Sequence, residues 1–433
     1  MLNLSNLLFI VTVFSTCNYV RVVGICRLSI DLPSPLFSSN FGTKAIVFRA
    51  HEDELTLDDG ETITAYCSTG EIKLESKYYS NYNYESIPYP NDWKAAHLEC
   101  LDNQISLNGN MYTYVRISCT AEPTPILYES KTSLPKCEGF TTYAIGYQLP
   151  PLGDTITAAI CYDLNRLKLK YVTYFAYPKN TKVSDALKDN NSAKWVSASL
   201  TVKTRGIENY FKFINTDSIN KKIVNEFSVE NILQDDAIKY KLNGYEHILS
   251  TIWWRQLREE NWRYFLEALR QRTESGQYAY VVSVGAYGNI TLPSALTNCP
   301  SSRDEVFTVH TEDMMVEAPA YIWAYVQSQT GTKSEEDFVV IAHNSPYIKD
   351  PGHQPLCEFD ICDTVDWLKE SKFGKLRQLP TLGYTFCCRP REVANVIDNF
   401  PLKTKVEVVD NEEGTTIETA DDDVQDEDYT FIT

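Results

Sequence analysis

Between Gly244 and Arg270 the apolar residues Trp254, Leu257, Trp262, Phe265, Leu266 and Leu269 recur mostly three or four positions apart. That period predicts an amphipathic helix with one buried stripe, so the chain must supply another layer to cover it. The polar side carries Arg255, Arg258, Arg263, Arg270 and Arg272 among Glu259, Glu260 and Glu267. Mixed charge on a helix face ordinarily means solvation. Taken alone, the stretch establishes a surface helix with a basic bias.

The texture N-terminal to it is different. From about residue 25 to 165 the chain offers short β-branched and aromatic runs, among them Thr62–Cys67, Tyr112–Cys119 and Thr155–Cys161, separated by Gly, Pro, Asn and Asp. These predict strands of a β-rich module without a catalytic signature. Leu169–Tyr177 predicts a further strand opening a second unit. Lys203, Arg205 and Lys212 follow in the most basic sizeable stretch, Lys194–Lys222.

Leu7–Phe14 is an apolar run too short to span a bilayer, and small residues follow it. Residues 1–24 therefore read as a secretory signal, with cleavage near Cys17 or after Gly24. No later apolar run has the length of a membrane helix, and the expectation is a secreted, extracellular protein. Twelve cysteines spread along the chain agree with export and read as disulfides rather than a metal cluster, eleven of them lying beyond the signal. Asn190-Asn-Ser192 and Asn289-Ile-Thr291 are N-glycosylation sequons, as in a glycoprotein. The segment from residue 401 on is expected to be an acidic, disordered tail. Glu407–Thr433 holds eleven acidic residues and no Lys or Arg, so more than half of the formal net charge of −18 sits there. Whole-chain charge is therefore poor evidence against a polyanion-binding surface on the body.

Several segments, in order, carry a family likeness. They are Tyr143–Tyr147, Cys161-Tyr-Asp163, Trp254 eight residues before Asn261-Trp262, Val281–Pro293, Pro319–Ala324, Asn344-Ser-Pro-Tyr347, Cys357, Cys362, Trp367 and Gly383–Cys388. Together the chain resembles the DNA/RNA non-specific endonucleases, in particular their secreted arthropod branch. The resemblance implies an α+β fold: a disulfide-bonded ββα-metal nuclease-like core over residues 166–400, preceded by the β-rich module of residues 25–165. It also implies a histidine that deprotonates water and an asparagine that holds a hydrated Mg²⁺ at the scissile phosphate.

Those catalytic positions are not matched. The histidine falls on Asn231, or on Ser228 without a gap; the metal-binding Asn falls on Arg258, the second Asn on Leu249, and the Glu on Leu266, one place from Glu267. An amide or hydroxyl is no base near neutral pH, and a guanidinium cannot bind a cation. The expectation is thus no catalytic residue and no metal cofactor: a pseudonuclease rather than an enzyme. Arg258 places a permanent positive charge where the enzymes place Mg²⁺, and a guanidinium can hold a phosphate bidentately. With Arg255, Arg263, Lys203, Arg205 and Lys212 it forms the candidate binding set for DNA and RNA without sequence preference. The opposing reading makes Arg258 an exposed helix residue that drifted. A second functional reading is an interaction protein of an extracellular fluid such as saliva or venom, meeting a basic protein through its scaffold or acidic tail. A third is a weakly active endonuclease with Glu230 or His247 as substitute groups.

Overall fold

The computed structural model describes residues 24–41, 44–49, 53–77, 84–88, 93–130, 133–149, 153–176, 195–197, 226–234, 246–274, 278, 280–292, 305–310, 315–328, 337–346 and 356–402. Strands dominate and helices are few. No helix among the described residues is long and apolar enough to cross a membrane.

Eleven strands build a sandwich. They are β1 (Ile25–Ile30), β2 (Leu36–Phe41), β3 (Lys44–Arg49), β4 (Glu54–Asp58), β5 (Thr62–Tyr66) and β6 (Ile72–Lys77). β7 (Tyr84–Ser86), β8 (Ala95–Leu101), β9 (Gln104–Leu107), β10 (Asn110–Tyr112) and β11 (Val115–Cys119) complete it. One sheet runs β4-β1-β11-β6-β7 and the other β10-β9-β8-β5-β2-β3. Every second residue of β1, β8 and β11 is buried, as a half-buried strand requires. Leu28, Leu74 and Ile117 from one sheet meet Ile63, Leu98 and Ile105 from the other. Two disulfides cross between the sheets: Cys26–Cys100 joins β1 to β8, and Cys67–Cys119 joins the end of β5 to β11.

The second unit is one antiparallel sheet with cover on both faces. Its early strands are β12 (Ile126–Ser130), β13 (Thr141–Leu149), β14 (Gly153–Asp163), β15 (Lys168–Ala176) and β16 (Trp195–Ser197). An excursion follows: β17 (Phe227–Asn231), β18 (Ser250–Trp254), α1 (Arg255–Glu259) and α2 (Asn261–Glu274). The chain returns in β19 (Tyr280–Tyr287), makes the short strands β20 (Thr291–Leu292), β21 (Glu305–Val306), β22 (Thr308–His310) and β23 (Met315–Glu317), and re-enters the sheet with β24 (Tyr321–Ser328) and β25 (Phe338–His343). α3 (Asp366–Glu370), α4 (Lys372–Leu376), β26 (Thr385–Cys388) and α5 (Pro390–Ala394) close it. The order is β16-β12-β13-β14-β15-β19-β24-β25-β26.

Alternation sorts each central strand onto two cores. Ile322, Ala324 and Val326 face the layer of α1, α2 and α4, whereas Trp323 and Tyr325 face the other side. Double burial explains why β25 reads as an unbroken apolar run, Phe-Val-Val-Ile-Ala. The adjacent Cys387 and Cys388 point to opposite faces of β26. Cys387 bridges to Cys362 on the helix side, and Cys388 bridges to Cys357 on the other. The segment from Cys357 to Cys362 therefore clasps the last strand on both faces, covering an edge that would otherwise offer open backbone groups.

Two expectations shift. The boundary at 165/166 falls in the turn between β14 and β15, which are hydrogen-bonded neighbours. Pairing breaks instead between Cys119 and Ile126, where the sandwich ends and the nine-stranded sheet begins. The helix expected to carry Trp254 in its stripe starts only at Arg255, because Ser250-Thr-Ile-Trp-Trp254 is β-branched and aromatic and pairs with β17. Trp254, counted in the helical stripe, is a strand residue. Glu260 (φ −117°, ψ −98°) then divides α1 from α2.

Candidate functional site

The candidate site sits on a strand–strand–helix unit. β17 and β18 pair from Phe227↔Trp254 to Asn231↔Ser250, and α1 follows with no loop, its Arg255 N–H donating to the Glu226 carbonyl. The sequence holds this unit to the sheet with two fully buried asparagines. Asn344, just past β25, accepts from Trp254 N at 2.7 Å and donates to the carbonyls of Ile252 (2.8 Å) and Pro319 (2.9 Å). Oxygen and nitrogen of that amide are both engaged. Asn261, the first residue of α2, turns its Nδ2 to the carbonyls of Leu376 (3.2 Å), Arg377 (3.3 Å) and Gly383 (2.7 Å). Gly383 has φ +90°, and a Cβ there would lie 2.6 Å from Leu257 Cδ1, so glycine is required on both counts.

Behind Asn261 lies a buried charge. Arg377 is 3% exposed, and its guanidinium is held by Asp360 and by Asp363 Oδ1 at 3.0 Å. Asp360 also accepts the backbone N–H groups of Cys362 and Cys387, each at 3.0 Å. Asp360, Cys362 and Cys387 converge closely enough to suggest metal ligands, but both sulfurs are spent in a disulfide. The cluster is a clasp.

The unmatched catalytic positions have structural employment. Asn231 Oδ1 accepts from Leu233 N at 2.9 Å, closing a turn at the end of β17. Leu249 is fully buried in the helix-side core, and Leu266 packs half-buried against it. Arg258 is half-buried on α1, with Nη2 3.6 Å from Glu230 Oε2 on β17. Gln234 completes its surroundings: with its amide turned so that the oxygen faces Arg258 Nε (3.0 Å) and the nitrogen faces the Arg258 carbonyl (3.3 Å), both groups are satisfied. The donor set does not fit a hydrated Mg²⁺. Arg258 is a cation, Leu249 and Leu266 carry no donor atoms, and Glu230 already faces a guanidinium.

The basic residues are only partly assembled. Arg255 is exposed and has no ion pair among the described residues, and it shares one side of α1 with Arg258 three positions on. Arg263 is engaged by Glu267 at 2.7 Å and by the Glu259 carbonyl at 2.8 Å. Lys203, Arg205 and Lys212 lie outside the described residues. Sequence reading missed Gln234 and also Lys372, whose Nζ sits 3.6 Å over the Tyr264 ring, which Arg263 approaches from 4.9 Å. Nothing local marks Lys372 as a neighbour of a residue more than a hundred positions away; the packing of α4 on α2 places it there.

Two of the histidines bear on the site reading. His247 lies in the 3₁₀ turn Glu246–Leu249. His343 ends β25 among Tyr321, Tyr384 and Phe386, with ring centroids at 4.7, 5.7 and 6.0 Å. Its Nε2 is buried without a partner among the described residues, and burial pushes its pKa down to about 4.

No family model and no curated protein sequence matches the chain. Among solved structures it is similar to a chain from the crystal structure of the EndoG/EndoGI complex, which concerns the mechanism of EndoG inhibition. That similarity has 11% identity over 44% of this chain and 72% of that chain, at a TM-score of 0.26.

Proposed function

We propose that this is a secreted protein built on the ββα nuclease plan that binds DNA and RNA without sequence preference and cleaves them little or not at all. The observation that carries this reading is Arg258, a permanent cation at the position where the resembled enzymes hold their metal. Its counter-ion is weak: Glu230 stands 3.6 Å away, beyond hydrogen-bonding distance, on a side chain 42% exposed. A pair of that kind is worth about 0–1 kcal/mol. A phosphate offering two oxygens to the guanidinium displaces it readily. Arg255, Arg263 and Lys372 add charge to the same helical layer. Contacts of this kind are made to the backbone of the nucleic acid and carry no sequence information. Export is supported by five disulfides among the described residues.

The acidic partners of Arg258 and Arg263 favour a second reading, in which the scaffold or the acidic segment after residue 406 meets a basic extracellular protein. Incubating the secreted protein with fluorescent DNA and RNA, in EDTA and in Mg²⁺, separates the possibilities. Salt-sensitive binding in EDTA without cleavage in Mg²⁺ is the expected result. Retention on a basic protein with no binding to nucleic acid favours the second reading. Mg²⁺-dependent cleavage would identify a weakly active endonuclease and overturn both.

A further inference from the structure

The nine-stranded sheet carries a row of aromatic rings on the face opposite α1, α2 and α4. Tyr287 on β19 is directly across from Tyr321 on β24, which is across from His343 on β25. Their ring centroids are 6.5 and 4.7 Å apart. Tyr287 and Tyr321 rest against the disulfide-side core yet are only half-buried. Both residues keep partial exposure.

Immediately beyond Tyr287 come Gly288, Asn289, Ile290 and Thr291. Gly288 is exposed with φ +66°, and a Cβ placed there would sit 3.8 Å from the Tyr321 ring. Hydrogen bonds hold the backbone on both sides of Asn289: Ala320 N donates to the Gly288 carbonyl at 3.3 Å, and Ile290 N donates to the Ala318 carbonyl at 2.8 Å. Ile290 is buried in the helix-side core. Ala318 lies in the same core, and the two hydrogen bonds set Asn289 opposite Pro319, one position from both, which directs Asn289 to the other face, that of Tyr287 and Tyr321. Asn289 is half-exposed, Thr291 is exposed, and the Asn289 amide has no hydrogen-bond partner among the described residues.

We propose that Asn289 carries an N-linked glycan whose first N-acetylglucosamine lies on the Tyr287 ring, with Tyr321 beside it. In the transfer, Asn289 Nδ2 attacks C1 of the sugar on a polyprenyl-pyrophosphate oligosaccharide. The N–C bond forms, the C1–oxygen bond to pyrophosphate breaks, the polyprenyl pyrophosphate departs, and the amide gives up one proton. No oxidation or reduction occurs. Thr291, two residues on, supplies the hydroxyl that completes the acceptor signal. Tyr287, the last residue of β19, thus lies two positions before the asparagine and on the same face of the sheet. Its electronegative π face suits the C–H groups of the sugar's apolar side. Because α1, α2 and α4 lie on the opposite face, the glycan leaves the cationic helical layer open.

This inference rests on the export half of the proposed function and not on nucleic-acid binding. The test expresses the full chain in secreting insect cells and maps glycopeptides from the medium. Asn289 is expected to carry hexosamine, and both Asn289→Gln and Thr291→Ala to abolish that mass. Protein in the medium with Asn289 unmodified overturns the site while export stands; unmodified protein retained in the cells overturns both. For the seating, enzymatic removal of the glycan should lower Tm in the parent protein and lower it less in Tyr287→Ser. An equal drop in both overturns the contact with Tyr287.

Discussion

Glu230 and Arg258 form an ion pair across 3.6 Å that ties the penultimate residue of β17 to helix α1. The two side chains are 42% and 24% exposed, so water screens the attraction and the pair is easily opened. Glu230 is therefore a competitor of any phosphate at Arg258. Glu230→Gln should tighten DNA binding several-fold at low salt, and Arg258→Ala should weaken it. In Arg258→Ala one phosphate fewer is neutralised, so the slope of log affinity against log salt should become shallower by about 0.9. Fluorescence anisotropy across a KCl series reads both quantities. Identical slopes in the parent and both variants would remove Arg258 from the interface.

Asn344 is the joint between the strand–strand–helix unit and the sheet. Asn344→Ala leaves the Trp254 N–H and the carbonyls of Ile252 and Pro319 without their buried partner. Each such group costs about 1–3 kcal/mol. The expected loss is at least about 3 kcal/mol, read as a fall in the urea midpoint. Asn344→Asp should be no better, since the carboxylate cannot donate to the two carbonyls. A midpoint unchanged in Asn344→Ala would mean the unit docks by apolar packing alone.

His343 should make the protein sensitive to acid. Its folded pKa of about 4 lies below the ordinary value of 6.5 because burial disfavours the charged ring. Between those two values the unfolded chain binds the proton and the folded chain does not. Stability therefore falls as pH drops through this window, by up to about 1.4 kcal/mol per pH unit. His343→Phe keeps an aromatic ring against Tyr321 and Tyr384 and should flatten the dependence. Urea midpoints at neutral and mildly acidic pH, compared between the two proteins, measure the difference. Parallel curves would assign the acid response to other groups.

The sandwich should depend on its staples. Cys67 and Cys119 close a loop of 52 residues in sequence, for which chain entropy gives about 4 kcal/mol. Replacing both by alanine should expose residues 24–119 to proteolysis before the nine-stranded sheet is cut. Mass mapping of early fragments shows which unit opens first. Early cuts confined to residues 126–402 would contradict this assignment.

Much of the core is legible in the sequence because it obeys short periods. Leu28 and Ile30, Leu98 and Cys100, and Phe265 and Leu269 all face inward as a period of two or 3.6 requires. Trp254 departs from the helical expectation because a strand's identity depends on its partner, and β17 lies some twenty residues away. The boundary at 165/166 shifts for a related reason. Composition changes where hydrogen bonding does not, and Tyr162↔Leu169 pair across it. At the candidate site, the residue types at positions 231, 249, 258 and 266 are readable directly from the chain. The pairing of Arg258 with Glu230 is not, since it follows from the register that sets Glu230 opposite Thr251 at the foot of α1. Lys372 over Tyr264 depends on tertiary packing alone.

The continuity of the sheet through the β14–β15 hairpin sets how the chain can be divided. A fragment beginning at residue 166 would discard β12, β13 and β14 and leave β15 as a bare edge, with Tyr171 and Val172 stripped of their partners Cys161 and Ile160. Open apolar edges recruit other chains, and such a fragment is a candidate for aggregation rather than folding. A division between Cys119 and Ile126 cuts no ladder. Among the described residues it uncovers a seam where Leu36, Tyr66 and Ala95 of the sandwich join the helix-side core. The two units are thus separable modules in hydrogen bonding and joined partners in apolar packing.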